Sequence, residues 1–134
     1  MPWSLANIAS IPVDNYAKAY NGEKLPDFNK NDVEDYIRKS GGIIINAKKC
    51  TNYAIGVTTA TLCEALAYKT DSVLTISTML NGEYGISDVC LSIPAVVGCN
   101  GIKGRIAAPL TDAETAALQH SANCLKDVIK QLTF

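Results

Sequence analysis

From residue 72 to residue 109 apolar side chains recur with a period of two, and two glycine-bearing turns cut the stretch into segments. In "SVLTISTML" (72–80) Val73, Thr75, Ser77 and Met79 alternate with Leu74, Ile76, Thr78 and Leu80. β-Branched residues abound there, which suits a pleated strand with one buried face. "NGEYG" follows as a turn, "DVCLSIPAVVG" resumes the strand pattern, "CNGIKG" turns the chain again, and "RIAAPL" is expected to be a third strand. Turns this short join antiparallel neighbours, because parallel strands need a crossover of a dozen or more residues. Pro94 cannot donate to a ladder and so suggests an edge, or the end, of the second strand.

On either side the period changes to that of a helix. "TDAE" at 111–114 is a capping box, Thr111 with Glu114 three residues on. Leu118, Ala122, Leu125, Ile129 and Leu132 follow at alternating steps of four and three, an amphipathic helix over 111–132. Upstream, Asn29 is a plausible cap for a helix over 30–48, with Val33, Ile37, Ser40, Ile44 and Ala47 on one stripe. Gly41 and Gly42 each cost that helix about 1 kcal/mol relative to alanine, which points to close backbone packing or to a break. A further helix is expected over 51–68, a short one over 4–10 stopped by Pro12, and turn structure over 21–32. The predicted fold is α+β: an antiparallel meander with long helices packed on one face, and no internal repeat.

At 134 residues and 14.3 kDa the chain is expected to be one domain with one real core. A net charge of −1 leaves no basic footprint for nucleic acid. "GGIIINA" and "LSIPAVVG" are too short to span a bilayer, and "MPWSLANIASIPVD" lacks the basic start and apolar core of a secretion signal. Neither nucleic acid nor membrane is expected as a partner. Five cysteines without a C-x-x-C pair argue against a disulfide framework and a zinc site. Cys63, Cys90 and Cys124 lie in apolar patterns and read as buried, reduced thiols, so a cytoplasmic protein is expected.

The catalytic inventory is thin. His120, the one histidine, falls roughly 200° round the last helix from Leu118, on its polar side. No nucleophile elbow, H-E-x-x-H or P-loop is present. "GCNGIKG" leads into a strand, whereas a nucleotide-binding glycine loop must open a helix. Asp32, Glu34 and Asp35 sit at a helix start, where the dipole favours them. Thr51 and Ile55, taken alone, read as a helix cap and a core residue.

"WSLANIASIP", "TNYAIG", "VLTISTMLNGEYGISDVCLSIPAVVG" with its following "NGI", and "PLTDAETAALQHSANCLK" together resemble the substrate-binding, C-terminal half of NAD-dependent L-lactate dehydrogenases. Malate dehydrogenases of the lactate-dehydrogenase-like type share the layout. The resemblance runs from Trp3 to about the end of the chain. It implies that Thr51 closes one wall of a pocket for a small 2-hydroxy or 2-oxo acid and that Ile55 touches the nicotinamide ring. Four residues apart, the two are expected to share one helix face. The family's nucleotide loop, its mobile arginine loop, the arginine that grips the substrate carboxylate and the Asp–His proton relay have no counterpart here. NAD is therefore expected to be held mainly by another domain, this chain to be an N-terminally incomplete substrate-binding domain, and no catalytic or metal-binding residue to lie within it. The implied whole enzyme reduces pyruvate, as in glycolysis. A malate or branched 2-hydroxy-acid dehydrogenase and a non-catalytic assembly or binding module are the alternatives. A homo-oligomer is expected from apolar surface left bare by the missing half. Lys49 stands where the family usually carries glycine.

Overall fold

The computed structural model describes residues 1–22, 29–68 and 70–132. The chain divides into two compact units, Met1 with Ala6–Leu62 and Pro2–Leu5 with Cys63–Phe134. In the first, β1 (Asn7–Ile8) and β2 (Ile11–Pro12) pair antiparallel across Ala9 and Ser10, whose φ values are +49° and +68°. Two consecutive left-handed residues reverse the chain, so the helix expected over 4–10 does not form. Only one 3₁₀ turn, Trp3–Leu5, lies there, and that turn belongs to the second unit. Pro12 caps α1 (Val13–Ala19) rather than stopping a helix, because its φ of −52° is already helical and its missing N–H is one that a first turn leaves unpaired anyway.

In α2 (Lys30–Lys48) the Asn29 side chain accepts from the Asn31 N–H at 2.9 Å, the expected cap. Residues 23–28 of the predicted turn lie outside the described residues. The helix runs unbroken through Gly41 and Gly42, and a Cβ on either would meet nothing within 4 Å. Close packing therefore does not explain these glycines among the described residues. α3 (Tyr53–Ala67) follows after a short junction.

The second unit is the meander. β3 (Ser72–Asn81), β4 (Ser87–Gly98) and β5 (Gly101–Arg105) pair antiparallel in that spatial order. Leu74 pairs with Ala95, Ile76 with Ile93 and Thr78 with Leu91, so the even residues of β3 and the odd residues of β4 share the inner face. Leu80, Ile86, Val89 and Ile93 form the core there with Ala122 of α4 (Asp112–Ile129), and Tyr84, Leu91 and Leu118 pack around them. Leu80 is fully buried.

Two expectations about the sheet are corrected here. β4 is the central strand, so Pro94 is at neither an edge nor an end. Its carbonyl accepts from the Ile106 N–H at 2.8 Å, just past the end of β5. The amide nitrogen of a strand residue points to the same side as its carbonyl, so the missing donor faces the place where pairing is already ending. The third strand begins at Gly101 and keeps only Arg105 of "RIAAPL". The loop before it is just Cys99-Asn100, with Gly101 at φ +91°, so pairing resumes at once.

All five cysteines are free and exposed. Cys90 falls on the outer parity of β4, and Cys124 lies two residues, roughly 200°, round α4 from buried Ala122. Cys63 stands in the same relation to buried Ala65 on α3. Local apolarity therefore misjudged which side each thiol takes.

The start of α4 matches its predicted capping box. Glu114 receives hydrogen bonds from Ser4 Oγ at 2.6 Å, the Ser4 N–H at 3.0 Å and the Thr111 N–H at 3.0 Å, and the Thr111 hydroxyl accepts from the Glu114 N–H. The Ser4 hydroxyl, then the backbone N–H groups of Ser4 and Thr111, hold the Glu114 carboxyl down at about 2, from an ordinary 4.5. Because the folded value is depressed, the stabilisation is complete above about 4.5 and is lost as pH falls toward 2. Glu114→Gln should therefore melt lower than wild type at neutral pH, the gap closing across that window. A gap that stays constant down to the lower limit would refute the linkage. At its other end α4 stops at Ile129, and Leu125, Ile129 and Leu132 of the predicted stripe are exposed.

Candidate functional site

The junction between α2 and α3 holds both residues singled out by the sequence. α2 ends on Lys49, whose φ of +66° and ψ of 0° are left-handed, and whose N–H bonds the Ile45 carbonyl at 2.7 Å. This is the conformation glycine adopts freely, and a side chain there costs about 1–2 kcal/mol. Lys49 Nζ reaches the Asn46 carbonyl at 3.3 Å. Lys49→Gly is expected to raise the stability of the chain by about 1 kcal/mol, relief of strain outweighing the added freedom of the unfolded chain. Urea unfolding with a lowered midpoint would show that the lysine is instead favourable.

The chain then crosses Cys50, Thr51 and Asn52. The Asn52 carbonyl accepts from the Gly56 N–H at 2.9 Å, which makes Asn52 the cap of α3 and leaves Thr51 one residue outside it. Thr51 and Ile55 therefore do not share a helix face: Thr51 is in the junction and Ile55 in the first turn. Thr51 is not a cap either. Two cap-competent side chains stand next to each other in the sequence, and the second takes the position. The Cys50 thiol points to Asn52 Oδ1 at 3.5 Å.

Ile55 is 66% exposed, with Tyr53 and Val57 equally open, so it is not a core residue of this chain. Thr58, Thr59 and Thr61 donate their hydroxyls back to the carbonyls of Ala54, Ile55 and Val57. With those hydroxyls spent on its own backbone, the open surface of α3 is more apolar than its sequence suggests. Lys48 Nζ sits 3.9 Å from the centre of the Tyr53 ring, a cation–π contact that lysine–tyrosine spacing across a helix junction does not reveal. No acidic residue occupies the first turn of α3. Two lysines and an uncompensated helix N-terminus thus make the surroundings of Thr51 electropositive.

His120 is exposed on α4, as its position implied, and lies within 3.7 Å of the Cys124 sulfur. Among the described residues no group of three or more His, Cys, Asp or Glu is placed to hold a metal ion, and no helix is long and apolar enough to cross a membrane.

The family model described as lactate/malate dehydrogenase, alpha/beta C-terminal domain, matches residues 1–133. An L-lactate dehydrogenase of Acetivibrio thermocellus is 40% identical over 131 residues, which are 97% of this chain and 41% of that protein. One from Thermoanaerobacter sp. strain X514 is 38% identical over 130 residues, covering 97% of this chain and 42% of its own length. The solved structure of the minor L-lactate dehydrogenase from Enterococcus mundtii, in its ligand-bound form, superposes with a TM-score of 0.85 at 30% identity. That superposition takes in 99% of this chain and 42% of the other. The chain thus spans about two fifths of the length of the relatives it matches.

Proposed function

Because the chain belongs to the lactate/malate dehydrogenase family, as its C-terminal domain, we propose that it is the substrate-binding part of an NAD-dependent L-lactate dehydrogenase. The observation that carries this reading is the match of nearly the whole chain to L-lactate dehydrogenases at up to 40% identity. Both compact units are read as parts of that one domain. NAD, when bound, supplies or accepts the hydride. Ile55 is the residue of this chain that suits it, as an open, branched aliphatic side chain offered to an apolar ring face. Thr51 stands beside the smaller partner, a 2-oxo or 2-hydroxy acid, its hydroxyl a hydrogen-bonding group and its methyl a wall. The charge of Lys48 and Lys49 and the N-terminus of α3 favour an anionic substrate there. Proton transfer, nucleotide binding and the grip on the substrate carboxylate fall to the remainder of the enzyme, so the 134 residues alone are inactive.

Tyr36, Ile37, Ile43, Ile44 and Ile45 on α2 are exposed, as is much of α3. So much open apolar surface supports assembly into a homo-oligomer, and a strictly monomeric chain at high concentration in sedimentation would oppose that. Five free, exposed thiols fit a reducing, cytoplasmic setting.

The test is complementation. The chain is joined behind the preceding N-terminal part of the Acetivibrio thermocellus enzyme, and NADH oxidation with pyruvate is followed. The hybrid is expected to turn over with saturation and the isolated chain to show none. A hybrid that folds and binds NADH yet reduces no 2-oxo acid would favour a non-catalytic module, and turnover by the isolated chain would overturn the division of labour.

A further inference from the structure

His120 and Cys124 stand one turn apart on α4, and the Cys124 sulfur lies 3.7 Å from His120 Nε2. Both side chains are exposed, and neither belongs to the junction between α2 and α3. The separation is informative. A tetrahedral zinc ion with Zn–S near 2.3 Å and Zn–N near 2.05 Å sets its sulfur and nitrogen ligands about 3.6 Å apart. The spacing therefore matches one edge of a tetrahedral shell, so one turn of α4 presents both donors at the separation a zinc ion needs, where without metal they make a thiol–imidazole contact. Imidazole and thiolate are the donors that borderline and soft divalent ions prefer over magnesium or calcium.

We propose that His120 and Cys124 form a surface two-ligand site for a zinc-like divalent ion, with water completing the shell. Asp127 follows on the same stripe, three residues after Cys124, and adds negative charge nearby. Its carboxylate is engaged by Lys130 at 3.0 Å, so no coordinating role is assigned to it. The site is distinct from the structural, four-ligand zinc centres that the cysteine spacing argues against, and it takes part in neither hydride nor proton transfer. Bound metal would pin one turn of α4 and mask the Cys124 thiol.

His120 is the only histidine, so its ring signals in proton NMR report on this position alone. The experiment titrates the 134-residue chain with Zn²⁺ while following those signals, and in parallel with Co²⁺ while following thiolate-to-cobalt charge transfer. Saturation at one ion per chain is expected from both readouts. Cys124→Ser and His120→Gln should each weaken binding at least tenfold, and Cys63→Ser, which removes another exposed thiol, should leave it unchanged. The proposal fails if the histidine signals do not move below millimolar zinc, or if charge transfer survives undiminished in Cys124→Ser.

Discussion

Leu80→Ala is expected to destabilise the chain by about 3–5 kcal/mol, the range for emptying a fully enclosed leucine site. Leu80 has no exposed surface and lies among Ile86, Val89, Ile93 and Ala122, contributed by β4, the turn before it and α4. The turn beside it is fastened: Tyr84 Oη donates to the Ala108 carbonyl at 3.0 Å, and Gln119 Nε2 to the Tyr84 carbonyl at 2.8 Å. Such a frame has little freedom to collapse into the vacated space, which places the cost high in the range. Val73, on the outer parity of the same strand and 62% exposed, provides the comparison. Val73→Ala should cost well under 1 kcal/mol. Urea unfolding followed by circular dichroism measures both. A loss below about 1 kcal/mol for Leu80→Ala would mean that the core does not lie between the meander and α4.

The contrast between Leu80 and Val73 also shows why the meander could be read from the sequence. Its pairings are local, its turns short, and a period of two assigns each side chain to a face without knowledge of the rest of the fold. The capping box of α4 was equally local, since Thr111 and Glu114 carry their own partners. What needed the third dimension was misjudged. Pro94 points to an edge or a strand's end because a sequence does not say on which side a third strand will lie, or where that strand will stop. The thiols were placed inside because their neighbours are apolar, although parity on the strand and angle on the helix put them outside. Ser4, which closes a bond network with Glu114 from the far end of the sequence, gave no sign of doing so. At the site, no motif of this sequence marks the left-handed turn at Lys49, and only the resemblance, which implies a glycine at that position, points to it. The boundary between Thr51 and Asn52 lay within the residue or two by which helix starts are ambiguous. The roles of Thr51 and Ile55 rest on the resemblance, since exposure and nearby charge alone name no ligand.

The largest functional effect is therefore expected at Thr51. Thr51 is outside the cap of α3, so its replacement by glycine removes no helix-capping bond. Two readings of the residue now separate cleanly. If its methyl and hydroxyl wall the substrate pocket, Thr51→Gly enlarges the space by one or two methylene equivalents, worth roughly 1–3 kcal/mol in discrimination, or 10- to 200-fold. The hybrid enzyme that joins this chain to a nucleotide-binding partner allows the measurement, as kcat/KM for pyruvate and for 2-oxoisocaproate in wild type and Thr51→Gly. The ratio should shift toward the bulkier acid by at least tenfold, with thermal stability little changed. An unchanged ratio, with both substrates slowed equally or not at all, would place Thr51 away from the substrate and contradict the assignment of this junction as the substrate wall.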